Sequence, residues 1–178
     1  MKQTIEELRN SIEYPRNQFE EINQWRFYEE ANCYQFAIMT RFYLPLLKRL
    51  MPGEIAGYEI QDDAKYTDEG LLFFVKEELK ALGLTAEFCD VGAELLEGQW
   101  KIAIMNCSID SRKGEYDFHF LRQTTATYHG YWLHKLPDEQ HPDMRDSRER
   151  IITNPADGTN SFGYKYHYVK TLKISKKK

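Results

Sequence analysis

Apolar positions along the chain change period once, near Leu84. Upstream they recur at helical spacing: Ile5, Leu8 and Ile12, then Phe19, Ile22 and Phe27, with Pro15 between the sets. This predicts amphipathic helices over about 4–13 and 18–30. Phe36, Ala37, Thr40, Leu44 and Leu47 predict another, opening at Asn32-Cys33, disturbed at Pro45 and ended by Pro52-Gly53. The acidic, turn-rich stretch from Glu54 to Tyr66 reads as a surface loop, its Asp62-Asp63 pair as a solvated turn. Thr67 then caps a further helix, with Asp68 and Glu69 in its first turn. Leu71, Phe74, Val75, Leu79 and Leu82 form its apolar face, and Gly83 is its stop.

Beyond Leu84 the pattern is that of strands. Leu84 to Val91 alternates loosely, Gln99 to Cys107 is strongly apolar, Glu115 to Gln123 alternates, and so does Gly130 to Leu136 after a polar hairpin loop from Thr124 to His129. The charged stretch Pro137 to Arg150 is long for a hairpin and reads as a lid or specificity loop. Ile151 to Pro155 is a short strand running into a turn, and Tyr164 to Ile174 closes the sheet, with Lys170 to Lys178 ending in a solvated basic tail. The expected fold is α+β: N-terminal helices packed on an antiparallel sheet of about five strands, one domain over 1–178, with 1–30 a helical extension.

Composition narrows the function classes. A length of 178 residues with 42% hydrophobic and 29% charged positions suits one globular domain. A net charge of −4 argues against nucleic acid as a partner, since binding phosphates needs a basic face. Met1 to Glu7 lacks the apolar core of a signal peptide, and no run is long enough to span a bilayer, so the expected site of synthesis is a reducing cytoplasm, with no membrane partner. Export or release without a signal stays open. Three cysteines without regular spacing make a disulfide framework an unsuitable reading. There is no phosphate loop, no repeat, and no pattern that asks for a cofactor or a metal.

The chemistry lies in three residues. Cys33 stands at a helix start behind a capping Asn32, where free backbone N–H groups favour the thiolate, and it is expected to face the open end of the helix. His119 is central in one alternating run. If the loop turns near Ala126 and Thr127, His134 comes roughly opposite it, on the same face of the sheet. Nucleophile, base and orienting group would then be Cys33, His119 and His134. Asn154, later in the chain, competes for the third role. On this placement Cys33 should alkylate faster than Cys89 or Cys107.

The order Cys33, His119, His134 resembles the papain-like cysteine hydrolases, and among them the bacterial cell-wall peptidases, in which the third residue is often a histidine on the strand after the catalytic one. Asn32-Cys33-Tyr34 followed by Phe36-Ala37 is similar to the family's cysteine helix, although that branch commonly has Asp-Cys-Ser. The resemblance implies a side-chain amide in the oxyanion hole, for which Gln24, its neighbour Asn23 and Asn32 are the candidates. It implies cleavage of an amide or peptide bond in a peptide, protein or cell-wall peptide, or, with another acceptor, glutamine deamidation or acyl transfer on a protein. Two other classes compete. Cys33, His119 and His134 are zinc-ligand types, though at no compact zinc spacing. Twelve tyrosines, ten phenylalanines and three tryptophans suit a non-catalytic binding module.

Overall fold

In the computed structural model the described residues are 4–10, 12, 31–39, 49–58, 67–107, 117–136, 141–162 and 166–176. The expected helix over 18–30, the Pro45 kink, and Asn23 and Gln24 lie outside them. The fold is α+β, with helices α1 (Ile5–Asn10), α2 (Cys33–Ala37) and α3 (Asp68–Ala81) and strands β1 (Leu84–Phe88), β2 (Gln99–Cys107), β3 (Phe118–Thr124) and β4 (Tyr166–Lys176). None of the described helices is long and apolar enough to cross a membrane.

The clearest sequence signals give the clearest elements. Thr67 Oγ1 accepts the Gly70 N–H at 3.0 Å, α3 runs to Ala81, and Gly83 takes the left-handed φ of 71° that a side chain would resist. The four strands pair antiparallel in the order β1-β4-β2-β3. Alternation divides their side chains between two cores. Trp100, Ile102, Ile104, Phe118, Phe120, Leu172 and Ile174 pack against α1, α2 and α3. Ala103, Met105 and Leu121 pack on the other face beneath Trp132, Ile152 and Phe162, which come from the long segment between β3 and β4.

Three expectations change. The described sheet has four strands, not five: within Gly130–Leu136 only Leu133 and His134 pair, with Arg122 and Asp143 respectively. The last strand does not close an edge but enters the middle, between β1 and β2. Lys170 to Lys176 consequently belong to β4 and not to a tail, with Leu172 and Ile174 carrying its buried face. The charged segment after Leu136 is folded back on itself, where described, by the Arg145–Ile151 pairing and by the Asp146–Arg150 ion pair.

One polar group is enclosed in the helical core. Glu78 of α3 is fully buried, and its Oε2 accepts the Ile55 N–H at 2.9 Å. Its Oε1 and the neighbouring Tyr34 hydroxyl have no partner of hydrogen-bond geometry. Burial pushes the carboxyl from its usual 4.5 up to about 8, against the Ile55 N–H that favours its charge. Because the folded value lies above the unfolded one, the native chain holds the extra proton, and stability falls as pH rises from about 4.5 through about 8. The penalty at the upper end is at most about 5 kcal/mol. Glu78→Gln should therefore raise Tm at pH 8, with an advantage that shrinks toward pH 4.5; parallel melting profiles for the two proteins across that range would contradict this account.

Candidate active site

Helix α2 is five residues long, too short to stand unaided, and its position is fixed from both ends. At its start Asn32 Oδ1 accepts the Gln35 N–H at 2.9 Å while Gln35 Oε1 accepts the Asn32 N–H at 3.2 Å, a reciprocal capping box. Just before it, the Ala31 carbonyl accepts from the buried Lys135 ammonium at 2.8 Å. At its end Phe36 O accepts from buried Arg122 at 2.6 Å, and Ala37 O accepts from Trp100 Nε1 at 3.1 Å. Carbonyls at the end of the helix are thus points of attachment, to β2 through Trp100 and to β3 through Arg122.

That docking buries Cys33, which is 5% exposed and does not face an open helix end as expected. Its Sγ lies against the outer edge of β3, 3.9 Å from the Phe118 carbonyl. Burial pushes the thiol up to about 12; the N–H groups of Phe120, Tyr34 and Cys33 itself oppose this, and the charge of Asp117 adds to it. The helix-start argument for a thiolate fails here because desolvation outweighs the few N–H groups that a five-residue helix offers.

The two histidines meet. His119 Nε2 and His134 Nδ1 are 2.9 Å apart, both residues being buried. The register differs from the one expected. Arg122 and Leu133 exchange N–H···O bonds of 2.7 and 2.8 Å, which sets His134 level with Leu121 and diagonal to His119, still on the same face. His134 Nε2 lies 2.8 Å from the Arg145 carbonyl. A carbonyl only accepts, so Nε2 of His134 carries the proton and its Nδ1 is the acceptor. His119 therefore donates from Nε2, and its Nδ1 keeps the lone pair. Phe162 and Tyr166 flank the His119 ring with centroids 4.9 and 5.5 Å away, and the Tyr166 hydroxyl donates to Asp117. Burial, then the nearby His134, hold His119 well below 6.5 and hence neutral.

The Arg145 carbonyl is itself held. Buried Asp146 accepts from the N–H groups of Arg148, Arg150 and Ser161 at 2.9, 3.0 and 3.1 Å, and from Arg150 Nη2 at 2.6 Å. Burial opposes its charge, but these donors outweigh that effect and keep the carboxyl below its ordinary range.

Other candidates are placed differently. No hydrogen bond joins Cys33 to His119; the thiol neighbours the main chain on either side of that residue, whereas the His119 ring belongs to the opposite core. Asn154 is exposed, its Oδ1 accepting the Ala156 N–H at 3.0 Å within a turn. The amide of Asn32 already donates to Leu50 O at 2.8 Å. Gln24 is outside the described residues. Among those described, no three His, Cys, Asp or Glu side chains gather as metal ligands, so the zinc alternative gains no support from the geometry.

Sequence reading missed Arg122, Lys135 and the Arg145 carbonyl. A charged residue inside an alternating apolar run was the available signal for the first two; a backbone acceptor leaves none. Comparison with family models, curated proteins and solved structures finds no match for this chain.

The relay makes a spectroscopic prediction. Long-range 1H–15N spectra should show both imidazoles as Nε2–H tautomers, with His119 still neutral at pH 6; a protonated Nδ1 on His119 would reverse the direction of the relay. Since the folded value is depressed, the contribution of His119 to stability is lost as pH falls below about 6.5.

Proposed function

We propose that the chain is a thiol hydrolase of papain-like design that cleaves an amide or peptide bond through an acyl-enzyme on Cys33. The observation that supports it is the fixed relay from the Arg145 carbonyl through His134 to His119. It ties back the donor nitrogen of His119 and leaves the basic one free, as a general base requires. In the reaction His119 Nδ1 takes the thiol proton, the sulfur attacks the acyl carbon, and the same proton passes to the leaving amine. Water then frees the acyl group, giving a peptidase, amidase or deamidase; an amine in its place gives a transferase.

The resting protein is not poised for this step. Burial holds the Cys33 thiol up at about 12 and the His119 imidazole well below 6.5, so proton transfer between them is strongly uphill in the resting structure. Substrate must therefore open the contact between α2 and the β3 edge, admitting charge to the thiol and bringing it to His119. The buried thiol also favours a second reading, a non-catalytic binding module in which Cys33 fills core. Rings exposed on the surface, Phe73 at 49% and Phe88 at 53%, would serve it.

Acid-quenched mass spectrometry separates the two. On a panel of peptide, glutamine-amide and cell-wall peptide substrates, the hydrolase should show an acyl adduct on Cys33. Its rate should fall by roughly a hundred- to ten-thousand-fold in His119→Ala, by less in His134→Ala, and little in Asn154→Ala. Without substrate, Cys33 should alkylate more slowly than Cys89 and Cys107, the reverse of the order expected from sequence. Absence of an adduct from every substrate, with Cys33 equally slow in their presence, would favour the binding module.

A further inference from the structure

A second polar site lies on the sheet face that carries His119, at the other end of β3. Lys101 of β2 is 2% exposed and stands beside Gln123 in the wall of an open cavity of about 530 Å3, which the loop after β1 borders with Val91, Ala93 and Leu95. Its ammonium donates to Val91 O at 2.5 Å and Ala93 O at 2.8 Å, and lies 5.5 Å from the Trp132 ring centre. Two of its three N–H groups are thereby used. No carboxylate pairs with it among the described residues, so a buried positive charge is left with dipoles alone, an arrangement proteins rarely keep without a counter-charge. The main-chain N–H groups of Glu94 and Leu95 on the same wall also make no hydrogen bond to the described chain.

We infer that this cavity binds a small organic monocarboxylate, its carboxylate on Lys101 and its body against Val91 and Leu95. One charge suits the site better than two: among the described residues Lys101 is the only cation lining it, and the exposed Glu94 at its rim repels a dianion. The cavity volume admits a ligand of the size of an acylated amino acid. The inference is independent of the hydrolase reading, because none of Cys33, His119 and His134 lines this cavity.

N-acetyl-alanine, its uncharged amide and inorganic phosphate, each titrated into the 15N-labelled full chain, test it. The carboxylate should shift the Ala93 and Glu94 amide signals saturably at millimolar concentration. The amide should bind at least about tenfold more weakly, phosphate more weakly than the carboxylate, and Lys101→Met should lose the response. No saturable shift, equal binding of the amide, or tighter binding of phosphate would each overturn the proposal. The comparison of acid and amide needs only the unaltered protein, so it decides the matter even if Lys101→Met fails to fold.

Discussion

Everything near the cysteine depends on how a five-residue helix is held against the edge of a sheet. Propagation cannot stabilise so short a helix, because nucleation costs more than one turn returns. Its stability comes from outside, through Arg122 on Phe36 O, Trp100 on Ala37 O and Lys135 on Ala31 O. Arg122 adds a second contact, its guanidinium carbon lying 3.9 Å from the centre of the Phe36 ring. The Trp100 and Lys135 bonds each satisfy a carbonyl that would otherwise be buried unpaired, at a cost of about 1–3 kcal/mol apiece, while Phe36 O also accepts the Met39 N–H at 3.3 Å. The same bonds press Cys33 onto β3 and exclude the water that would solvate a thiolate. Docking and thiol ionisation therefore oppose each other in this structure.

Strand β3 sets the second constraint. Its period of two sends Phe118 and Phe120 into the helical core and His119 and Leu121 into the other. The thiol is beside the main chain of the histidine's neighbours, while the imidazole is enclosed by Phe162, Tyr166 and His134. Both groups are buried, and both are neutral for the same reason: desolvation raises the acid and lowers the base. Separation of charge between them becomes favourable only once the edge of β3 is wetted or a substrate supplies polar partners.

How much of this was legible followed the range of the interactions. Helix α3 and strand β2 were readable because local signals agree over many residues: a cap, a stop and a long period in one, a continuous apolar run in the other. The Asn32 cap was also local, and the structure uses it. Central placement of β4 was not readable, since lysines look like a solvated tail until Leu172 and Ile174 are known to pair with Ile102 and Trp100. The alternation through Gly130–Leu136 suggested a full strand, yet β3 holds it only at the Arg122–Leu133 pair. Burial of Cys33 was hidden for a further reason: it is produced by two basic side chains about a hundred residues away, whose targets are backbone oxygens that no sequence pattern marks.

Two sets of buried charges border the candidate site, and each holds one part of it in place. Asp146 has a true counter-ion in Arg150 and several N–H donors, so its charge is compensated and its turn is locked. That turn presents the Arg145 carbonyl to His134, which makes the proton position on two histidines a consequence of one carboxylate two residue contacts away. Arg122 and Lys135 donate to carbonyls of the cysteine helix and its approach. The imidazole relay is oriented by the Asp146 turn and the cysteine helix by its carbonyls docked at β2 and β3, so thiol and imidazole meet only if one of these two attachments gives way.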